Sequence, residues 1–412
     1  MKGISEAAGV ADAANPGNAE DIAPLQSGKR TGSRLQQRIA AGLIAAGGIA
    51  ALAGLWLNAA RTWTDLLLGA FYLLSLALAG LVFVAIQYLA SAGWWTAIRR
   101  VPEALASLLP IAAVPMLALW FGRHALYAWS RPGAAAHDAV LAAKAAYLNV
   151  PFFFGRMLLF LALWSLFAIS LRRISLAQDR ADSLACHRRL VRLSAVFIVL
   201  FAVSFSLASF DWLMSLEPHW ASTIFAVYSF AGLFLAGLAA ITLCVVLLSS
   251  GGPLTGAVNA SHRHDLGKLL FAFSTFWAYI WVCQYLLIWY GNLSDEIPYY
   301  IARTRGGWLA LFLLNPLLNW LIPFAVLLSR KAKRNPATLR WVAGIILVGR
   351  WLDLYLLVAP AVLPRPRIGP LEVLITLGFA GLAVYAGSRA LARAPLLTRG
   401  DPFLAESLAH HQ

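Results

Sequence analysis

Three short stretches gather groups able to hold or pass a proton in a chain that otherwise avoids charge. "DWLMSLEPHWAST" carries Asp211, Glu217 and His219 with no Lys or Arg among them. "GRWLDLYLL" places Asp353 three residues after Arg350, so the two share a helical face. "SHRHDLGKLL" sets His264 beside Asp265. Carboxyl and imidazole groups exchange protons, and an arginine nearby favours the charged carboxylate. Two further polar positions interrupt apolar runs: Arg156 in "PFFFGRML", and Gln284 with Tyr285 in "WVCQYLLIWYGN".

What holds these groups is set by composition. Of 412 residues 60% are hydrophobic and only 12% charged, half the roughly 25% of a soluble domain, and the mean hydropathy is +0.72. Sixteen Trp and twelve Tyr suit the aromatic belts of a bilayer. The net charge of +15 could indicate a nucleic-acid partner, but the cations lie in short connections between apolar runs, where a membrane explains them and nucleic acid does not. Cys186, Cys244 and Cys283 stand singly, without a haem-attachment motif or thiolate cluster, and read as buried inert thiols. Of eight histidines only His124 lies near an apolar run, which argues against b-type haem. No phosphate-binding loop, nucleophile elbow or HExxH zinc motif occurs, so no metal ligand set is expected.

Ten runs of spanning length are read near 38–58, 65–90, 104–127, 151–171, 190–210, 221–249, 266–290, 307–329, 340–362 and 369–390. Backbone groups cannot go unpaired in hydrocarbon, so these runs must be helices and the chain an all-α integral membrane protein. Residues 1–35 read as a flexible tail, 36–392 as the ten-helix domain and 393–412 as a C-terminal tail. With both termini cytoplasmic, most of the 33 Lys and Arg fall on the cytoplasmic side, including those of "RRISLAQDRADSLACHRR" and "RKAKR". This orientation places "DWLMSLEPHWAST" on the outer face.

An ionised group inside the bilayer costs at least ~2.5–3.5 kcal/mol and needs a partner or a purpose. Arg350 lies about ten residues into the ninth run, ~15 Å deep at 1.5 Å per residue. With Asp353 it is either a self-neutralising pair that pins helix packing or a proton-responsive pair on a polar path. Arg156 can snorkel outward or pair with an acid such as Asp211, and its place near a helix end favours snorkelling. Gln284 and Tyr285 are interhelical hydrogen-bond partners or ligand contacts. His264 and Asp265 suit a helix N-terminus or a proton entry, and Glu103 and Glu372 are assigned to helix-end electrostatics. "NPLLNWLIP" in the eighth run, with Asn315, Pro316, Asn319 and Pro323, marks a kink in preference to an ion site.

Three blocks carry a family resemblance: "SFDWLMSLEPHWASTIFAVYSFAGLFLAG", "HDLGKLLFAFSTFWAYIWVCQYLLIWYGNL" and "EIPYYIAR…GGW". Through them the chain resembles the ActF-type membrane subunit of alternative complex III, the bacterial quinol:cytochrome c oxidoreductase. That subunit belongs to the NrfD-like, polysulfide-reductase-type superfamily. The resemblance implies two four-helix bundles flanked by single outer helices, in the bacterial inner membrane. It implies an ActC-like membrane subunit, an iron–sulfur subunit and haem c subunits as partners, which carry the redox centres. It also implies a contribution to quinone binding or proton translocation, with no cofactor held covalently or by metal ligands. The family's outer block falls on Asp211, Trp212, Glu217, Pro218, His219 and Trp220, its inner block on His264, Asp265, Gly267 and Lys268, and its ninth-helix pair on Arg350 and Asp353. Candidate proton-relay groups are then Asp211, Glu217, His219, Arg350, Asp353, His264 and Asp265, and candidate quinone-proximal groups Arg156, Gln284 and Tyr285. Ile297 departs from the pattern, since a second polar residue commonly follows the glutamate at Glu296.

On this reading Asp211 ends the fifth helix, Ser222 or Thr223 caps the sixth, and Asp211, Glu217 and His219 form an outward polar floor. The floor releases protons or docks the iron–sulfur subunit; otherwise the stretch is a capped, aromatic-anchored hairpin without chemistry. The competing functions are a secondary transporter built on the kinked eighth helix and a purely structural anchor.

Overall fold

The computed structural model describes residues 33–180, 183–398 and 400–411; most of the expected N-terminal tail, up to residue 32, lies outside them. The described residues form helices and connections without strands, and ten helices are long and apolar enough to cross a membrane. They are α1 (Arg34–Leu57), α2 (Ala59–Leu89), α3 (Arg100–Ala118), α4 (Val150–Gln178), α5 (Leu184–Leu216), α6 (Phe225–Ser249), α7 (Ala260–Gly291), α8 (Trp308–Leu327), α9 (Pro336–Ala361) and α10 (Pro370–Ala392).

Where these bounds depart from the apolar runs, the cause is local. Helix α7 starts at Ala260 because Asn259 accepts from the Ser261 and His262 backbone N–H groups while His262 Nδ1 reaches back to the Asn259 N–H. That capping box carries the helix past the end of its apolar stretch. Helix α3 ends at Ala118, short of the expected 127, and breaks at Ser107–Leu108 ahead of Pro110. A prolyl nitrogen has no proton to donate, so the chain restarts there. In α8 the "NPLLNWLIP" stretch makes a π-turn over Leu317–Leu321, the extra residue that the two prolines force into the ladder.

Helices α2, α6 and α9 form the interior; in α2, 89% of the most apolar window is buried, against 22% in each of α1, α8 and α10. Helix α1 lies along α10 with backbones almost in contact: a Cβ on Gly47 would stand 2.6 Å from the Gly378 Cα. Small residues allow such close approach between membrane helices, where dispersion contacts replace the hydrophobic effect as the driving force.

The end of the bundle that holds Arg99 and Asp265 is closed by the C-terminal segment. Asp401 pairs with buried Arg99, and Ser407 bonds to the Ala97 N–H (3.1 Å), the Trp94 carbonyl (2.7 Å) and His262 Nε2 (3.2 Å). The Asn259 amide donates to the His410 carbonyl at 2.7 Å. Glu103, expected at a helix end, does lie in the first turn of α3, but it is 4% exposed and bound between Arg99 and Arg100. Ser175 of α4 and Asp179, just past its end, complete that network. Glu372 does serve its helix end, accepting from the Gly369 N–H at 2.8 Å, and in addition takes both arms of Arg61 from α2.

The Gly47–Gly378 contact leaves no room for a methyl group. Gly47→Ala should cost about 1–3 kcal/mol, as overpacking generally does, and lower the melting temperature of the chain in lipid nanodiscs. Gly42→Ala, where a Cβ meets nothing within 4 Å, should leave it unchanged.

Candidate proton-path site

Asp353 is the hub of the interior polar groups. Its Oδ2 accepts from Arg350 Nη2 at 2.7 Å, and its Oδ1 accepts from Asn315 Nδ2 at 2.6 Å and from the Tyr228 hydroxyl. Three helices thus converge on one carboxylate: α9 through Arg350, α8 through Asn315 and α6 through Tyr228. The break in α8 serves this arrangement. Asn319, on the π-turn, donates to the Asn315 carbonyl (3.0 Å) and to Asn315 Oδ1 (2.7 Å). Its amide satisfies a carbonyl near the prolines and fixes which edge of Asn315 points at Asp353. Arg350 is 3% exposed, with its guanidinium 5.3 Å from the Trp277 ring centroid. It fits only because residue 232 is glycine: a Cβ there would stand 1.9 Å from Nη2.

Two small cavities flank this pair. One, of about 10 Å³, is lined by Arg350 with Tyr72, Ser75, Ser229 and Gly232. The other, of about 20 Å³, is lined by Asp353 with Tyr228, Gln284, Tyr299, Arg303 and Asn315. Arg350 Nε and Nη1, Ser229 Oγ and Gln284 Nε2 are buried without a partner among the described residues. A water needs about 10–15 Å³ on this scale and two to four polar neighbours, and both cavities offer that to roughly one water each. Neither has room for a quinone ring as folded. Of the three groups read as quinone-proximal, Gln284 lines the larger cavity. Tyr285 is stacked on Trp281 and set edge-on to Tyr300 in the wall behind it, and Arg156 is held elsewhere.

The larger cavity reaches Arg303, which the sequence reading did not single out beyond its place in "EIPYYIAR". Arg303 donates to Leu356 O (2.9 Å) and Leu357 O (3.2 Å), two of the unsatisfied carbonyls that end α9. It also pairs with Glu217 at 3.1 Å and lies 3.4 Å from the Tyr299 ring, which stacks on Trp220. Burial would lower the pKa of Arg303, but Tyr299 and Glu217 beside it outweigh that and raise it. Its charge is therefore permanent.

The expected polar floor of Asp211, Glu217 and His219 is replaced by three separate contacts, two of them ion pairs with arginine. Asp211 is fully buried and bound by Arg156 through Nε (2.7 Å) and Nη2 (3.0 Å). This corrects the expectation that Arg156 snorkels: the bidentate carboxylate and the rings of Tyr147 (3.9 Å) and Phe152 (4.1 Å) hold it inward. Burial and the nearby Asp211 push Tyr147 up to about 12, so it remains a neutral ring over that cation. Glu217 belongs to Arg303. His219 is exposed and meets Asp138 at 2.6 Å. Asp138 also caps a short helix, and the Leu141 N–H holds its carboxyl below the usual range. Neither Ser222 nor Thr223 caps α6, which begins at Phe225 with no side-chain cap; the Ser222 carbonyl takes the Phe225 N–H instead (3.3 Å).

Asp265 lies at the opposite end of α7, 19 residues before Gln284 and hence ~28 Å along the axis. Asn259 caps that helix, and Asp265 instead meets Lys268 (2.6 Å) and His410 (2.7 Å). His264 lies half-buried in the same turn, and His410 also meets this turn through Asp265. The inner and ninth-helix groups are thus two sites. The three cysteines are free and half-buried, less enclosed than expected.

In comparisons with known proteins, no family model matches the chain and no curated protein matches it.

The pairs differ in what their loss should do. Asp211→Ala strands a buried guanidinium, and breaking a buried pair from one side costs about 3–5 kcal/mol, so the melting temperature should fall by many degrees. His219→Ala removes a solvent-exposed contact and should leave it unchanged.

Proposed function

We propose that this chain is the ActF-type membrane subunit of an alternative complex III and carries protons toward the Glu217 end of the bundle. In this reading α1 and α10 flank two four-helix bundles, both termini are cytoplasmic and the Glu217 end faces outward in a bacterial inner membrane. An ActC-like subunit, an iron–sulfur subunit and haem c subunits supply the quinol and electron chemistry. The reading takes its family from the three sequence blocks quoted above and its chemistry from one observation. A buried carboxylate, Asp353, is held by Arg350, Tyr228 and Asn315 at the wall of a water-sized cavity that ends at the Arg303–Glu217 pair.

A hydrated proton arriving from the Arg350 side gives its proton to Asp353 Oδ2 and is left as neutral water, which breaks the Arg350 Nη2 bond and leaves a neutral carboxyl held by Asn315 and Tyr228. Returning the proton to water on the Arg303 side restores the pair. Arg303 keeps its own proton and acts by fixing Glu217, the acceptor nearest the bundle end. A cavity near 20 Å³ admits water and excludes quinone, so quinol oxidation is assigned to the partner subunits.

In the assembled complex, Asp353→Asn should preserve co-migration with haem-stained bands in a native gel and lower the ratio of protons released to electrons transferred. An unchanged ratio in an assembled variant would end the relay reading. Failure of the wild-type chain to co-migrate with haem-bearing subunits, or solute uptake by the purified chain alone, would end the respiratory one.

A further inference from the structure

The proton path described above uses no acid of α2, yet Asp65 on that helix is 5% exposed. Its Oδ2 is shut off from solvent and meets no hydrogen-bond donor among the described residues. The cation one turn before it on the same face is Arg61, and Arg61 is already engaged. Its Nη2 donates to Glu372 Oε2 at 2.7 Å and its Nε to Oε1 of the same carboxylate.

The neighbours on the other helices do not substitute for it. Helix α10 presents Glu372, a like charge. Helix α9 presents Tyr355, whose hydroxyl donates to the Arg367 carbonyl and accepts the Arg367 N–H, both at 2.9 Å. The only ionisable residues of α1, Arg34 and Arg38, lie at its opposite end. A carboxylate 5% exposed, with one oxygen shut off and undonated, no cation of its own and a second carboxylate beside it, is stabilised by taking up a proton.

We propose that Asp65 is a proton-binding site, un-ionised at neutral pH, coupled to Glu372 through the single guanidinium of Arg61. Two carboxyls here share one cation and one proton. If the proton leaves Asp65 for Glu372, the guanidinium must turn from Glu372 to Asp65, and the net charge of the cluster is unchanged. Asp65 is also two helical turns from Tyr72, on the same face of α2, and Tyr72 lines the cavity beside Arg350. The site thus adds a proton-holding group to this end of the bundle, and its existence does not depend on the respiratory assignment.

Infrared difference spectra of the full-length chain in lipid nanodiscs at neutral pH test it. The Asp65→Asn variant should lose one carbonyl-stretch band of an un-ionised carboxylic acid, lose no carboxylate band and keep the wild-type melting temperature. In Glu372→Gln the freed Arg61 should ionise Asp65, so the same acid band should vanish while a carboxylate band persists. Loss of a carboxylate band in Asp65→Asn would overturn the proposal. So would failure of that variant to fold, since exchanging a neutral acid for a neutral amide alters no charge. No outcome depends on turnover of a complex, so the proton-path reading stands or falls separately.

Discussion

An ion moved from water into hydrocarbon must bring its counter-charge with it, and this requirement organises the interior of the bundle. Arg350 meets Asp353, Arg156 meets Asp211, Arg303 meets Glu217 and Arg61 meets Glu372. Arg99 and Arg100 gather Glu103, Asp179 and Asp401. All but the first of these arrangements tie one helix to another or to a connection, so neutralisation also fixes which helices are neighbours. Such pairs contribute little net stability beside well-packed apolar residues, but each is costly to break from one side. They therefore specify register more than they strengthen the fold.

The irregular helix and the charged helix depend on each other. The prolines and π-turn of α8 would leave carbonyls unsatisfied in lipid, and Asp353, though paired with Arg350, would lack the amide donor at its other oxygen. Packed together, Asn319 satisfies the α8 backbone and orients Asn315, whose amide binds Asp353. Irregular backbone at membrane depth is tolerated where protein or water re-satisfies it, and here both are at hand. Arg350 adds the steric condition: with any residue larger than glycine at 232, its guanidinium could not reach Asp353 in this way.

Much of the fold was legible because a spanning helix is written in one local property, apolar length. All ten runs reappear as helices, with shifts at the ends explained by caps and prolines. The Arg350–Asp353 pair was legible for the same reason, its members being three residues apart. What could not be read was partnership across the chain. Asp211 and Arg156 are 55 residues apart and Glu217 and Arg303 86, and local pattern carries no record of which helices adjoin. Asp211, Glu217 and His219 looked like one cluster because they are close in sequence, whereas a short helical segment and a turn send them to three different neighbours. The closing role of Asp401, Ser407 and His410 was hidden likewise, since a polar C-terminal segment resembles a tail until its buried partners are known.

What distinguishes a proton path from an inert brace is water at the Arg350–Asp353 pair. Radiolytic hydroxyl-radical footprinting of the full chain in lipid nanodiscs detects water held against side chains that bulk solvent does not reach. The account predicts rapid labelling of Tyr228 and Leu357, which face the cavities, and slow labelling of Tyr127 and Leu78, residues of the same types that are also buried but line neither. Labelling of Tyr228 and Leu357 no faster than that of the dry core would contradict it.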